Sequence, residues 1–299
     1  MHRQPKTAIS QNVATTSVIR LVPHHSRTVR LTEQDRTEML AFLRVRPVHT
    51  LVMASFINDN GVESSLNRGV FFGYRGQNGQ LEGVALIGHT TLVEARTDDA
   101  LAGLAACAAD PNTPIHLIMA SGKDAERFWS YMGKTGSPRL TGTEALFEVG
   151  FPFAVPSHNH PLSIATMEWL IPVAEAQAEV AFTECGVDPL VKDREGFLRR
   201  VARRIEQGRV FIVTEGETLI FKADIIAETA EAIYLEGVYV AAEYRGQGLG
   251  SEYLASLALQ LLDRVENVSL LSNVNFTSSH KAFAKAGFRQ TDTCTTLFL

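Results

Sequence analysis

One glycine-rich loop constrains the fold of this chain more than any other segment. A β-rich run at 233–240 leads into the loop at 243–250, and an apolar stretch with helical periodicity follows at 251–264. Glycines let the backbone turn tightly and let an anion approach its N–H groups. The first turn of a helix adds unpaired N–H donors and a partial positive charge. Strand, loop and helix together therefore predict a pyrophosphate-binding site.

Two common phosphate-binding motifs do not fit this loop. The P-loop requires Lys followed by Ser or Thr, and no such pair follows Gly250. The dinucleotide motif G-x-G-x-x-G would start at Gly246 and needs glycine or alanine where Ser251 stands. It also expects an acidic residue at the end of the next strand, where the chain has 271–273, Leu-Ser-Asn. A turn that is rich in glycine only because it starts a helix is the structural alternative.

The spacing Arg245-x-x-Gly248-x-Gly250 after a Val-Tyr-Val strand resembles the acyl-CoA-binding motif [Q/R]-x-x-G-x-[G/A] of the GNAT N-acetyltransferases. Segments 182–187, 221–224 and 286–288 also resemble tandem GNAT proteins whose first half is an unassigned GNAT-like domain. The resemblance implies acetyl-CoA as co-substrate and a primary amine of a small molecule or peptide as acceptor.

Both halves of the sequence show the same predicted element order, β-α-α-β-β-β-α-β-α-β. We therefore expect an α/β fold with two tandem GNAT-like domains, each a twisted mixed β-sheet flanked by helices. The expected bounds are a disordered tail at 1–22, a first domain at 23–150, a linker at 151–161 and a second domain at 162–299. Because 95–99 (Ala-Arg-Thr-Asp-Asp) replaces the glycine loop, the first domain is predicted to be a degenerate, structural copy.

One predicted element bears on the start of the second domain. Residues 166–171 are expected to form a strand, and Pro172 to begin a helix that ends near Cys185. Gly186 suits the C-cap of that helix.

A carboxylate is the expected general base for attack by an amine. An alkyl ammonium has a pKa of about 10.4, so the acceptor is mostly protonated at neutral pH. Glu236 lies on the strand that enters the loop and, by strict alternation, shares a face with Val238 and Val240. A partly exposed carboxylate at a sheet edge is the alternative reading of Glu236. Asp224 and Glu184 are weaker candidates for base or acceptor binding.

The resemblance implies that the main chain of 238–240 bonds the pantetheine arm and the acyl carbonyl. The predicted CoA-binding residues are Val238, Tyr239, Val240, Tyr244, Arg245, Gly246, Gln247, Gly248, Leu249, Gly250, Asn275 and Phe283. Phe283 stands where many GNAT enzymes have a tyrosine that protonates the leaving thiolate, so Tyr239 or water is the expected acid. The same departure supports an alternative function, an acyl-CoA sensor without turnover.

The composition of the chain limits the classes of binding partner that it can have. The chain has 299 residues, a net charge of −5 and a pI near 6.0, which argues against nucleic acid and against tRNA-dependent transfer. Three widely separated cysteines predict no disulfide framework and no zinc site, and the histidine pairs lack metal-site spacing. No apolar run reaches the ~18 residues of a membrane span, and no secretory signal is evident. We expect a cytoplasmic protein, monomeric or homodimeric, with no membrane partner.

Overall fold

The computed structural model describes residues 27–134, 136–152 and 162–299. The predicted tail at 1–22 lies outside these ranges, as does most of the predicted linker (153–161). No helix in the described ranges is both long enough and apolar enough to cross a membrane.

The N-terminal half carries six strands and four helices in the described ranges. Its strands are β1 (Thr28–Arg30), β2 (Gly69–Arg75), β3 (Leu81–Gly88), β4 (Thr90–Ala95), β5 (Leu117–Ser121) and β6 (Leu140–Val149). Its helices are α1 (Arg36–Leu43), α2 (Leu51–Asn60), α3 (Asp98–Ala108) and α4 (Asp124–Tyr131).

The C-terminal half repeats this order with one additional short helix. Its strands are β7 (Ser163–Ile164), β8 (Val210–Glu215), β9 (Thr218–Glu228), β10 (Ala232–Val240), β11 (Asn267–Asn273) and β12 (Arg289–Phe298). Its helices are α5 (Leu170–Cys185), α6 (Pro189–Lys192), α7 (Arg194–Glu206), α8 (Leu249–Leu262) and α9 (Thr277–Lys285).

The last strands of the two halves are exchanged. The sheet order is β1-β2-β3-β4-β5-β12-β6-β11-β10-β9-β8-β7, so β6 pairs with β11 and β12 pairs with β5. β12 and β6 also pair antiparallel with each other. The two predicted sheets therefore join into one twelve-stranded sheet with a pseudo-twofold axis between β12 and β6.

Helices cover both faces of this sheet. The largest apolar cluster in the C-terminal half packs α8 against β9, β10 and β11, and a second cluster lies under α5 and α7. α8 is buried almost all round, as its predominantly apolar sequence requires. In contrast, α7 buries one stripe, formed by Gly196, Phe197, Val201 and Ile205. Two further clusters under α1–α2 and α3–α4 form the core of the N-terminal half.

α2 also packs on the C-terminal half. Leu51 lies in a cluster with Ala227, Ala232 and Tyr234, and the Arg209 guanidinium pairs with Asp59 at 2.7 Å. The two halves are thus held together by apolar contacts and ion pairs as well as by the exchanged strands.

The predicted strand at 166–171 is wrong. The chain forms a 3-10 turn at Met167–Trp169, and α5 begins at Leu170. Pro172 falls in the first turn of α5, where its missing N–H has no intrahelical acceptor in any case. The alternation of apolar residues is typical of a strand, but Met167 and Ile171 are exposed. Gly186 takes the predicted left-handed C-cap conformation, with φ of 71°.

Candidate active site

A cleft opens where two parallel strands separate. β10 pairs with β11 from Ala232 to Leu235, and the pairing ends there, while β11 continues alongside β6. The resulting cavity has a volume of about 670 Å³ and is lined by residues of β10, α5, α8 and α9, among others.

A β-bulge shapes the strand at the mouth of this cleft. Glu236 lies opposite Asp224 and Tyr239 lies opposite Lys222, so β10 carries one more residue than β9 between these pairs. Gly237 occupies the bulge with φ of 60°, and a Cβ there would overlap the Gln177 side chain. The expected strict alternation from Glu236 to Val240 is therefore wrong.

Buried charges hold the bulge in place. The Lys222 ammonium, which is fully buried, donates to the Gly237 carbonyl at 2.9 Å and to Gln177 Oε1 at 2.6 Å. It also pairs with Asp224 at 2.9 Å, and Arg204 pairs with the other Asp224 oxygen at 2.7 Å. Burial lowers the pKa of Lys222, and the Asp224 carboxylate opposes that shift. Asp224, a predicted acceptor-binding candidate, is 1% exposed, lies outside the cleft lining and supports the bulge instead.

The glycine loop has the backbone conformation that the motif requires. A 3-10 turn at Ala242–Tyr244 is closed by the Tyr244 N–H, which donates to Ala241 O at 2.9 Å. Gly246 and Gly248 have φ of 77° and 87°, a region that L-residues with side chains avoid. A Cβ on Gly250 would lie 3.0 Å from Val240 Cγ2, so close packing of α8 on β10 selects glycine there.

The loop presents unpaired donors. Within the described residues, no hydrogen bond involves the backbone N–H of Gly246, Gln247, Gly248, Leu249 or Gly250. The N–H groups of Tyr244 and Arg245 close the preceding turn, and those of Ser251 and Glu252 bond Gly248 O. The free donors therefore form one run at the start of α8, where the helix dipole adds partial positive charge.

Most of the predicted site residues line the cleft. These are Glu184, Glu236, Val238, Tyr239, Val240, Tyr244, Arg245, Gly246, Gly248, Gly250 and Phe283. Gln247, Leu249 and Asn275 lie outside the lining, and Asn275 is exposed, with its N–H bonded to Asn273 Oδ1 at 3.0 Å.

Arg245 is fixed by three contacts. Its guanidinium pairs with Glu179 at 2.7 Å, donates to Val240 O at 2.8 Å and lies 5.6 Å from the centre of the Tyr239 ring. Both members of the ion pair are about half exposed, so the pair stabilises the loop only weakly.

Three carboxylates face the inner part of the cleft: Glu236 on β10, Glu184 at the end of α5 and Glu144 on the exchanged strand β6. The Tyr234 hydroxyl donates to Glu236 at 2.9 Å, and the Thr296 hydroxyl donates to Glu144 at 2.6 Å. We call Glu144, Glu184 and Glu236 the acidic cluster.

Desolvation raises the pKa of every member of the acidic cluster. For Glu184 the pKa rises to about 7, through burial first and then through repulsion from Glu236 and Glu144. Burial also raises the pKa of Glu236, against the opposing effect of Arg204. Glu184 and Glu236 nevertheless keep surface open to the cleft water, which moderates these shifts. The cluster is thus an electronegative pocket in which repulsion from Glu236 contributes to the raised pKa of Glu184 and of Glu144.

Phe283 forms an apolar wall. It is 8% exposed and its ring lies 5.4 Å from that of Phe147, in an edge-on arrangement. Tyr239 also lines the cleft, and burial and the nearby Glu179 raise its pKa, which keeps it protonated at neutral pH.

The cleft lining also contains residues that the sequence did not predict, among them Tyr234, Glu144, Lys281 and Lys285. Tyr234 stands two residues before Glu236, so strand alternation could have placed it on the same face. The two lysines are four residues apart on α9 and share a helix face. Glu144 carried no local signal, because only the strand exchange brings it here.

The corresponding loop of the N-terminal half differs. After β4 the Thr97 hydroxyl caps α3 by accepting from the Ala100 N–H at 3.2 Å. A side chain thus caps the start of α3, whereas Gly248 at the start of α8 offers no side-chain cap.

Residues 206–290 match the family model of the acetyltransferase (GNAT) domain. The matched segment runs from the end of α7 into β12 and contains the strand, glycine loop and helix that build the cleft. This part of the chain is therefore a GNAT domain. No curated protein sequence matches the chain significantly.

Solved structures extend the likeness in fold over most of the chain. A GNAT-family acetyltransferase from Colwellia psychrerythraea has a TM-score of 0.58 and 14% identity, covering 91% of this chain and 99% of its own. A Drosophila protein has a TM-score of 0.66 and 12% identity, covering 91% and 98%. A tandem GNAT protein from the clavulanic acid biosynthesis pathway, solved without acetyl-CoA, has a TM-score of 0.57 and 14% identity, covering 91% and 98%.

These matches confirm the predicted superfamily and the α/β fold class. The chain has a tandem GNAT fold, and the GNAT family model falls on the half that carries the glycine loop.

Proposed function

We propose that this chain is an acetyl-CoA-dependent N-acetyltransferase that transfers an acetyl group to a primary amine. The observation that carries the proposal is the run of free N–H groups at Gly246–Gly250, which opens into the same cleft as the acidic cluster. One end of the cleft suits a diphosphate and the other suits an amine.

The cleft has the groups that coenzyme A needs. The free amides of the loop would bond the diphosphate oxygens, and the glycine at 250 allows α8 to start close to β10. Arg245, Lys281 and Lys285 add positive charge to the cleft walls. Beyond Leu235, β10 no longer pairs with β11, so its main chain can bond the pantetheine amides as an added strand would.

The reaction is a direct displacement. The lone pair of the neutral amine attacks the thioester carbonyl carbon, the C–N bond forms, and the C–S bond breaks with its electron pair leaving on sulfur. The ammonium proton passes to Glu236, directly or through water, and the raised pKa of that carboxyl makes it a stronger base than a free glutamate.

The thiolate can leave without a tyrosine at position 283. A thiol has a pKa of about 8.5, so its anion is a tolerable leaving group near neutral pH. Tyr239, which lines the cleft and stays protonated, or a water molecule supplies the proton that completes free coenzyme A.

The test is release of coenzyme A from acetyl-CoA by the purified chain with a broad panel of primary amines. We expect at least one amine to be acetylated. Glu236→Gln should lower kcat by about 10²–10⁴-fold without changing the Kd for CoA, since it removes only the base. Glu217→Gln, in the exposed β8–β9 turn, is the matched control and should leave the rate unchanged. Absence of acetylation across the whole panel would contradict the proposal.

The alternative, an acyl-CoA sensor without turnover, is favoured by one observation, the apolar Phe283 in place of a proton donor. It predicts tight CoA binding together with a slow thioester loss that Glu236→Gln leaves unaltered. The same two measurements therefore separate the two functions.

A further inference from the structure

We propose that the acceptor is a primary amine with a second cationic group, an ammonium or a guanidinium, and that Glu144, donated by the N-terminal half, is a specificity-determining residue that holds this second charge. The inference rests on the proposed function and names its substrate class.

The pseudo-twofold axis gives two carboxylates of the cleft, Glu144 and Glu236, a counterpart in the N-terminal half. In the pairing of β12 with β6, Cys294 lies opposite Glu144 and Asp292 lies opposite Leu146. Rotation about the axis places one of these pairs on the other, so Asp292 in the N-terminal half corresponds to Glu144 in the C-terminal half.

Glu94 is the counterpart of Glu236 by the same reasoning. β4 pairs with β5 up to Val93, and Glu94 is the next residue. β10 pairs with β11 up to Leu235, and Glu236 is the next residue. Both halves therefore place two carboxylates at equivalent positions beside the point where their parallel strands separate.

In the N-terminal half, the chain itself supplies a cation to this pair. The Arg46 guanidinium donates to both oxygens of Glu94 at 3.1 Å and lies 3.7 Å from Asp292. His49 Nε2 contacts Asp292 at 2.8 Å, and Glu94 is 6% exposed. The arrangement shows that a carboxylate pair at these positions accommodates a planar cation between its members.

In the C-terminal half, the equivalent cation is missing from the described residues. No salt bridge there involves Glu144, Glu184 or Glu236, and the nearby cations Arg204 and Lys222 are paired with Asp224. The connection between α1 and α2 supplies Arg46, whereas the end of α5, the corresponding helix, supplies the carboxylate of Glu184. The side chain supplied near the end of this first helix is thus positive in the N-terminal half and acidic in the C-terminal half.

The reacting amine alone does not balance these charges. Its nitrogen must be neutral when it attacks, and Glu236 takes its proton afterwards. Glu144 and Glu184 line the same cleft and are left to bind a different positive group of the same molecule. No set of three or more His, Cys, Asp or Glu side chains in the described ranges is arranged to hold a metal ion.

The experiment compares four acceptors that share one primary amine and a four-carbon chain: butane-1,4-diamine, agmatine, butylamine and 4-aminobutyrate. With acetyl-CoA and the full chain at low ionic strength, kcat/KM for the diamine or agmatine should exceed that for butylamine by about 10-fold or more, with 4-aminobutyrate the poorest. Comparison of kcat/KM for butane-1,4-diamine with that for agmatine then shows whether the second cation is an ammonium or a guanidinium.

Glu144→Gln should reduce the ratio of kcat/KM between the dication and butylamine by about 10-fold, mainly through KM. Glu144→Lys, which gives the cleft an internal cation as Arg46 does, should reverse the preference in favour of 4-aminobutyrate. Glu148→Gln, on the same strand but outside the cleft lining, is the matched control and should leave the ratio unchanged.

Failure of the proposed function and failure of the proposed acceptor class give different results. If no amine in a broad panel is acetylated, the proposed function is wrong and the inference falls with it. If kcat/KM for butylamine equals that for the two dications, the proposed acceptor class is wrong and the proposed function is unaffected. The same conclusion follows if Glu144→Gln and Glu144→Lys leave the ratio as in the parent.

Discussion

Glu184 illustrates how the environment of a single residue decides what it can do. Burial and two neighbouring carboxylates raise its pKa to about 7, so it changes charge near neutral pH. The sequence showed a glutamate near the end of a helix, which is usually a solvated charge. Its neighbours Glu236 and Glu144 come from strands far away in the sequence, so its titration could not be predicted locally.

This titration predicts a pH dependence of acceptor preference. Glu184 is neutral below about pH 7 and negative above it, so its attraction for a second cation grows as the pH rises through that value. The ratio of kcat/KM for butane-1,4-diamine to that for butylamine should therefore increase between pH 6 and pH 8. Using the ratio reduces the contribution of amine deprotonation common to both acceptors. The increase should disappear in Glu184→Gln, and its persistence there would contradict the role of this residue.

The same pKa shift predicts that the stability of the fold decreases as the pH rises, whereas the preference for the dication increases. The folded-state pKa of about 7 exceeds the ordinary value of 4.5, so between these pH values the folded chain binds more protons than the unfolded chain. The contribution of Glu184 to stability therefore falls as the pH rises from 4.5 to 7. Glu184→Gln should raise Tm at pH 8 more than at pH 5 in thermal unfolding. A lower Tm for the variant at pH 8 would show that the carboxylate is stabilising in the fold.

At the scale of elements, β10 shows where sequence patterns succeed and where they fail. The glycine loop could be predicted because its motif, its strand and its helix are contiguous. The face of Glu236 could not be predicted by alternation, because the bulge at Gly237 inserts one residue. An isolated glycine in a strand is itself a signal for a bulge, but the Lys222 ammonium that fixes it comes from the neighbouring strand.

Gly237→Ala should disrupt the bulge. A side chain there meets Gln177 and the Lys222 ammonium at a positive φ, so we expect a loss of about 2 kcal/mol of folding free energy and a lower kcat. Gly142→Ala on β6 is the control, since its Cβ would meet its nearest neighbour, Thr296 O, at 3.8 Å. Denaturant unfolding of both variants measures the difference. Equal stability of the two would contradict the proposed tight packing at position 237.

Lys222→Met tests the charges beneath the bulge. It removes the donor to Gly237 O and leaves Asp224 with Arg204 alone, so we expect destabilisation by about 3 kcal/mol, as for other broken buried ion pairs. The variant should also lose acetyl transfer out of proportion to CoA binding, because the strand next to Glu236 shifts. A variant that unfolds like the parent in denaturant would show that the bulge does not depend on Lys222.

At the scale of the whole molecule, the exchange of β6 and β12 makes the two halves one structure. The sequence predicted the repeated element order from local periodicity, and the fold comparisons agree with it. It could not predict the exchange, because both strands follow an α-helix, have similar length and suit either neighbour. For the same reason the acidic cluster could be predicted only in part, since Glu144 enters the cleft on the exchanged strand.

The exchange predicts that residues 162–299 do not reproduce the native domain alone. Without β6, the edge of β11 is unpaired and β12 loses both of its partners. We expect this fragment to aggregate or to unfold at a lower temperature than the full chain, by size-exclusion chromatography and circular dichroism. A monomeric fragment with the Tm of the full chain would contradict this view of the sheet.

Binding of coenzyme A by the glycine loop can be seen in a crystal structure of the chain with this ligand. We expect the diphosphate against the N–H groups of Gly246–Gly250 and the sulfur beside Glu236. A diphosphate bound in the N-terminal half, or a glycine loop left empty at saturating coenzyme A, would contradict this expectation.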